Sequence, residues 1–322
     1  MCKAALVDEI IWWEKMKIKT LDFFKIPEGI RVPYLSGFFY HIITKRQRKL
    51  IAKLPIEQLS LNQEPREEKI IVSLTSFPAR INTVGYAIKS LFNQTVKPDK
   101  IILWLADSQF ENVEIPTLLK ELAQRGLEIR FCKDLRSHKK YYYALKEQTK
   151  NELIITYDDD LIYPEDSIER LYKKHKKFPD CIVCNRAQLC KEENGGLGKY
   201  DTWTVYSSEG VKKPSTRLFP STGGGTLYPY QSVDEEAFND EVMRVTALTA
   251  DDLWMRFMSA KKGTKVIKTR KAHRTFSTLE GSQTEGLQQE NCIGGENDRA
   301  LDRLSARYPD ALAEILGKGQ IK

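Results

Sequence analysis

The stretch Leu153-Ile154-Ile155-Thr156-Tyr157-Asp158-Asp159-Asp160-Leu161-Ile162-Tyr163-Pro164 decides how this chain is read. A short apolar run ends in three consecutive carboxylates, followed by a second apolar pair and a proline. The run Leu153 to Tyr157 reads as a buried strand. Asp158, Asp159 and Asp160 then fall at its C-terminal end, the edge of an open α/β sheet where ligands bind. Three adjacent acids repel one another and are costly to bury unpaired, so a cation is expected beside them. Hard carboxylate oxygens favour Mg2+ or Mn2+ over zinc. Mg2+ takes one or two protein carboxylates and fills its shell with water and substrate phosphates, which describes a nucleoside-diphosphate site. The competing reading is a solvated acidic turn before a helix that starts near Pro164-Glu165-Asp166, because acids suit helix N-termini. The buried strand in front of the turn favours the metal.

The 322 residues suffice for one large α/β domain with an extension, or for two small domains. A charged fraction of 30% against 41% hydrophobic residues is ordinary for a soluble globular chain. The net charge of +7 points to anionic partners: nucleotides, acidic glycans or a membrane surface. It is too diffuse to argue for nucleic acid. No apolar stretch is long enough to span a bilayer, and the start lacks the pattern of a secretory signal. The six cysteines (Cys2, Cys132, Cys181, Cys184, Cys190 and Cys292) form no disulfide framework of the small secreted kind. A cytoplasmic protein with reduced thiols is expected, with a peripheral position at the inner face of the plasma membrane as its variant.

Residues 1–54 differ from the rest. Aromatic pairs such as Trp12-Trp13, Phe23-Phe24 and Phe38-Phe39 stand beside the basic run Lys45-Arg46-Gln47-Arg48-Lys49. They read as an interfacial membrane segment, or as a helical extension packed on the main domain or a second subunit. Residues 55–68 read as a polar linker. From Lys69 the pattern turns regular. Strands are expected at Lys69–Thr75, Lys100–Leu105 and Leu127–Cys132, and helices at Arg80–Asn93, Ile115–Arg125 and Tyr141–Thr149, with the Leu153 strand next. This alternation implies right-handed crossovers and a largely parallel sheet. Two other strand ends then face the same crevice. One offers Thr75, Ser76, Phe77 and Arg80; the other offers Asp134, then Arg136, His138, Lys139 and Lys140. Hydroxyls and an arginine suit a nucleotide, a carboxylate accepts from a base or ribose, and lysines meet phosphates. No glycine-rich phosphate loop follows the first strand, which argues against kinases, GTPases and NAD enzymes.

A Thr-Ser turn after the first strand, an aspartate after the third and an Asp-rich stretch on the fourth resemble the GT-A glycosyltransferases. The resemblance is nearest to bacterial family 2-like enzymes of surface-polysaccharide assembly (capsule, O-antigen or other glycan). It covers residues 69–280 as a catalytic domain, divided into a nucleotide-binding half (69–164) and an acceptor half (165–280), with 281–322 as a helical tail. It implies an α/β fold with a mixed, mostly parallel, Rossmann-like sheet flanked by helices. Tyr157 to Pro164 match the family's DXD region. By that resemblance Asp160 binds Mg2+ or Mn2+, Asp158 holds the ribose or the metal's outer shell, and Asp134 lies near the base. Asp159 belongs to the same donor site.

In the second half, Asp166–Lys177 is expected as a basic amphipathic helix, and Cys181–Arg186 as a strand. Cys181, Cys184, Cys190 and His175 raise a zinc site, but an odd spacing puts Cys181 and Cys184 on opposite strand faces, where cysteines act as small apolar fillers. Residues 191–214 read as a long surface loop. Gly223-Gly224-Gly225 let backbone approach a ligand; the resemblance makes Gly224 and Gly225 a turn under the donor sugar. At Leu248–Met255 a helix starts with Thr249 as its N-cap and Asp251-Asp252 in its first turn. The same geometry lets a carboxylate take a proton from an acceptor hydroxyl. The resemblance to the family's acid pair gives that role to Asp252, with Asp251 in reserve, and gives late His273 to the metal or diphosphate. The expected activity is metal-dependent transfer from a nucleotide-sugar donor, with UDP the expected nucleotide, to a glycan or lipid-linked acceptor, with inversion. The alternatives are a sugar-phosphate nucleotidyltransferase and a non-catalytic nucleotide-sugar-binding subunit.

Overall fold

The apolar runs lie side by side in a seven-stranded sheet, within a computed structural model that describes residues 33–271, 276–279, 291 and 294–319, with side chains from Ile42 onward. The chain divides into two compact units, Met1–Phe39 and Tyr40–Lys322. A helix, α1, covers Pro33–Lys53. In the second unit the sheet comprises β1 (Lys69–Thr75), β2 (Lys100–Ala106), β3 (Leu127–Cys132), β4 (Glu152–Tyr157), β6 (Ile182–Cys184), β11 (Gly224–Tyr228) and β12 (Val266–Lys268). Its order is β12-β6-β11-β4-β1-β2-β3. Every neighbouring pair is parallel except those of β11, which runs antiparallel to β4 and β6. The sheet is therefore mixed and mostly parallel. Flanked by helices, it is the Rossmann-like α/β architecture expected of GT-A enzymes.

Both sheet faces are covered, which is why the central strands are apolar at successive positions rather than alternately. Ile70, Val72, Leu74, Leu153 and Ile155 pack with residues of α2 (Val84–Phe92), α3 (Thr117–Gln124) and α5 (Ser167–His175). Ile71, Ile102 and Ile154 face the other way, toward α4 (Lys139–Lys146), α6 (Asp240–Ala247) and α7 (Asp251–Lys261). The β1–β4 register, Val72 against Ile155 and Ser73 against Thr156, brings the ends of both strands to one edge.

Several element boundaries differ from the sequence reading. The expected helix from Arg80 starts only at Val84, because Pro78–Arg80 form a separate 3-10 turn. The helix expected from Tyr141 starts two residues earlier, so Lys139 and Lys140 occupy its first turn. The stretch 191–214 follows β7 (Ala187–Leu189), holds a short hairpin of β8 (Glu192–Glu193) and β9 (Gly196–Leu197), and buries Trp203 against Phe219 of β10 (Leu218–Pro220), the antiparallel partner of β7. Residues 55–68 include a 3-10 turn at Ile56–Gln58 and a buried Leu59. Cys181 and Cys184 are buried on opposite sides of the sheet, and His175 meets Glu68.

Two chain segments far apart in sequence close over the end of β4. Strand β13 (Ser277–Thr278) pairs with β5 (Leu161–Ile162), and the amide of Leu279 donates to the carbonyl of Asp160 at 2.8 Å. Helix α1 holds β13 from outside: Arg48 Nε donates to the Thr278 carbonyl at 2.6 Å, and the Ser277 hydroxyl meets Gln47.

Candidate active site

The acid turn follows β4 directly, and its three carboxylates diverge. Asp159 turns inward: its side chain is 7% exposed, and it accepts from Ser76 Oγ at 2.6 Å and Arg80 Nη1 at 2.8 Å. Burial leads its pKa upward despite these two donors. Asp160 pairs with the same guanidinium, 3.2 Å away, while Phe77 lies under it with 5.4 Å between ring centre and Cζ. Asp158 is the most open of the three, 37% exposed, and binds Lys140 Nζ at 2.6 Å. The Ser-Phe-Pro-Ala-Arg turn thus brings a hydroxyl and a guanidinium to the acids. Thr75 instead donates across to the Trp104 carbonyl.

The second acid pair opens α7. Ala250, not Thr249, is the N-cap residue; the Thr249 hydroxyl is buried and takes no part in capping. Both acids face Thr222, which begins the glycine turn. Thr222 Oγ1 lies 2.6 Å from Asp251 Oδ2 and 2.7 Å from Asp252 Oδ1, and its amide donates to Asp252 Oδ1 at 2.7 Å. Asp251 also accepts from Ser137 at 3.0 Å and Lys140 at 3.0 Å. Burial alone would push the Asp251 carboxyl up, but Lys140 beside it brings it below the usual range. Burial, and then the negative charge of Asp251, push Asp252 upward. Burial would likewise depress Lys140, yet Asp158, Asp251 and Asp252 hold it well above the ordinary lysine value.

Glycines shape the floor. A side chain at Gly223 would place its Cβ 1.6 Å from Asp158 Oδ2, and Gly225 has φ +86° with Tyr157 packed against it. Gly224 lies under the stem of Arg186. The Tyr163 hydroxyl joins this turn to the acid turn: it accepts from the Asp158 amide at 2.8 Å and lies 2.7 Å from the Gly223 carbonyl. Asp134 stands at the end of β3, held by Lys139 Nζ at 2.6 Å and the Arg136 amide at 2.8 Å.

The structure therefore gathers Ser76, Arg80, Asp158, Asp159, Asp160, Lys140, Asp251, Asp252 and the glycines along one sheet edge. His273 lies outside the described residues. Thr222, Ser137 and Tyr163 carry contacts that sequence reading missed. Tyr163 stands in the stretch quoted first and Thr222 just before the three glycines, but only their acidic and glycine neighbours drew notice. Part of the positive charge expected from a metal comes instead from Arg80 and Lys140. Among the described residues no group of three His, Cys, Asp or Glu side chains is arranged to hold a metal. The all-oxygen pair Asp158 and Asp160 still fits Mg2+ or Mn2+, since such an ion needs only one or two carboxylates when phosphates complete its shell. No described helix is long and apolar enough to cross a membrane.

Residues 75–235 match the family described as glycosyl transferase family 2. Among solved structures, similarity extends to the mannosyltransferase PcManGT from Pyrobaculum calidifontis in complex with GDP-Man and Mn2+. The identity is 13%, over 88% of this chain and 83% of that one, with a TM-score of 0.44. A 4-diphosphocytidyl-2C-methyl-D-erythritol synthase is similar at 10% identity over 73% of this chain and all of that one, with a TM-score of 0.38. Nonsense-mediated decay protein 4 of Candida albicans is 28% identical over 116 residues, 36% of this chain; the chain spans only 28% of that relative's length.

Proposed function

Because the chain belongs to glycosyl transferase family 2, we propose that it transfers a sugar from a nucleotide-diphosphate donor, UDP-linked, to a hydroxyl of a glycan or lipid-linked acceptor. The observation that carries this reading is the meeting of two acid groups at one sheet edge, Asp158–Asp160 and Asp251–Asp252, linked through Lys140. Asp158 and Asp160 would hold Mn2+ or Mg2+, which when bound neutralises charge on the leaving diphosphate. Asp134 lies near the base and ribose; Ser76 and Arg80 fix the acid turn. Gly224 and Gly225 let the sugar lie close to backbone. Asp252 accepts the acceptor's hydroxyl proton while that oxygen attacks the anomeric carbon and the bond to diphosphate breaks. Its raised pKa suits a base that must hold a proton once it has taken one. Attack opposite the leaving group inverts the centre. Cell-surface polysaccharide synthesis in a bacterium, at the inner membrane face, is the setting we assign; the exposed Ile42, Lys45, Lys49 and Leu50 of α1 support contact with an anionic membrane surface.

A thermal-shift panel of UDP, GDP, CMP and TDP and their sugar conjugates, each with Mn2+ or EDTA, tests this. One nucleotide should stabilise the wild type only with metal, and Asp160→Ala should lose the shift. Absence of any nucleotide shift in the wild type would refute the reading.

A further inference from the structure

We propose that Lys140 is a positioning residue that couples nucleotide binding at Asp158 to the arrangement of the Asp251–Asp252 pair. The inference rests on the function proposed above and concerns how its two halves communicate.

Lysines after β3 were expected to meet phosphate directly. The geometry gives Lys140 other work. Its side chain is 5% exposed, and its ammonium lies 2.6 Å from Asp158 Oδ1 and 3.0 Å from Asp251 Oδ2. Its backbone is fixed as well: the Lys140 carbonyl accepts from Ser73 Oγ at 2.6 Å, and Ser73 in turn accepts from Trp104 Nε1 at 3.0 Å. The ammonium thus bridges two carboxylates, one on the acid turn after β4 and one in the first turn of α7. Lys139, its neighbour, is committed to Asp134.

Beyond Asp251 the link continues through one hydrogen. The Thr222 hydroxyl is within bonding distance of both Asp251 Oδ2 and Asp252 Oδ1, yet it has a single proton and donates to one at a time. The carboxylate oxygen of Asp251 that faces Thr222 is the one that faces Lys140. If Asp158 turned to hold a bound cation, Lys140 would lose part of one partner and bear more fully on Asp251. Asp251 Oδ2 then needs the Thr222 proton less, and the hydroxyl turns to Asp252. Donor binding in this way orders the carboxylate on the acceptor side before the acceptor arrives. A lysine that merely filled a buried space would hold both acids without transmitting anything.

Hydrogen-exchange mass spectrometry of the segments containing Thr222 and residues 248–256 tests the coupling, with binding measured separately by calorimetry. The probe is MnCl2 with UDP, or with GDP if the panel above selects it. In the wild type, nucleotide should slow exchange at the start of α7 by about fivefold or more, the lower end of ordinary coupling between sites. In Lys140→Met the nucleotide should still bind while the α7 response disappears. Asp251→Asn, uncharged and of the same shape, cuts the link on its far side and should give the same result even if Lys140→Met does not fold. If nucleotide binds the wild type and leaves α7 unchanged, or if both variants respond as the wild type does, the coupling is overturned and the proposed function stands. If no nucleotide binds the wild type, both fall.

Discussion

Asp251 and Asp252 are adjacent in sequence and share the first turn of α7, yet their surroundings drive them apart. Asp251 accepts from a lysine, a serine and a threonine; Asp252 accepts from Thr222 and lies beside a like charge, which the attraction of Lys140 offsets only in part. The raised pKa of Asp252 fixes the sign of a pH effect. A general base works only when deprotonated, so turnover should climb as pH rises through that pKa. The acid limb of the kcat profile should therefore lie above the ordinary carboxylate range. Asp252→Asn should remove that limb and lower kcat by roughly 100- to 10,000-fold, the usual worth of a positioned base, with nucleotide binding retained by calorimetry. A kcat within a few-fold of wild type would move the base elsewhere. The sequence alone exposed the acid pair but not the division of labour. Its cause lies in burial and in Lys140 and Thr222, both far from the pair along the chain, and no local pattern carries that information.

At the scale of elements, the acid turn and the glycine turn behave as one part. The Tyr163 hydroxyl ties Asp158 to Gly223, and the missing side chain at Gly223 is what lets Asp158 occupy its place. Gly223→Ala should displace that carboxylate, destabilise the protein by ~1–3 kcal/mol through overpacking, and abolish the metal-dependent nucleotide shift. Retention of the full shift in a thermal melt would contradict this account of the turn. The strands were legible because burial on both faces writes itself as unbroken apolar runs. The turns were not, because their form depends on pairing across the sheet. β11 reverses direction beside β4, and a string of glycines does not announce that. Likewise the 3-10 turn that Pro78 opens takes the place of the first turn of the helix expected at Arg80, and it hands the arginine to the acids.

At the scale of the whole second unit, the edge that bears Asp160 is held by residues from both its beginning and its end. Arg48 grips β13, β13 pairs with β5, and Leu279 donates to Asp160 itself. Arg48→Ala removes a charged donor from a part-buried carbonyl and should cost ~1–2 kcal/mol in urea unfolding, with weaker metal-dependent nucleotide binding. Unchanged binding would mean that the clamp serves stability alone. None of this was visible in the sequence, where residues 48 and 278 are 230 positions apart. The clamp bears on how such proteins can be recombined. A chimaera that exchanges only the family-matched block, residues 75–235, would import an acid turn without the strand and helix that brace it, and without Asp252. Grafts between relatives should carry residues 40–316 as one inheritance unit, because Leu301, Leu304 and Ile315 share the core with α7.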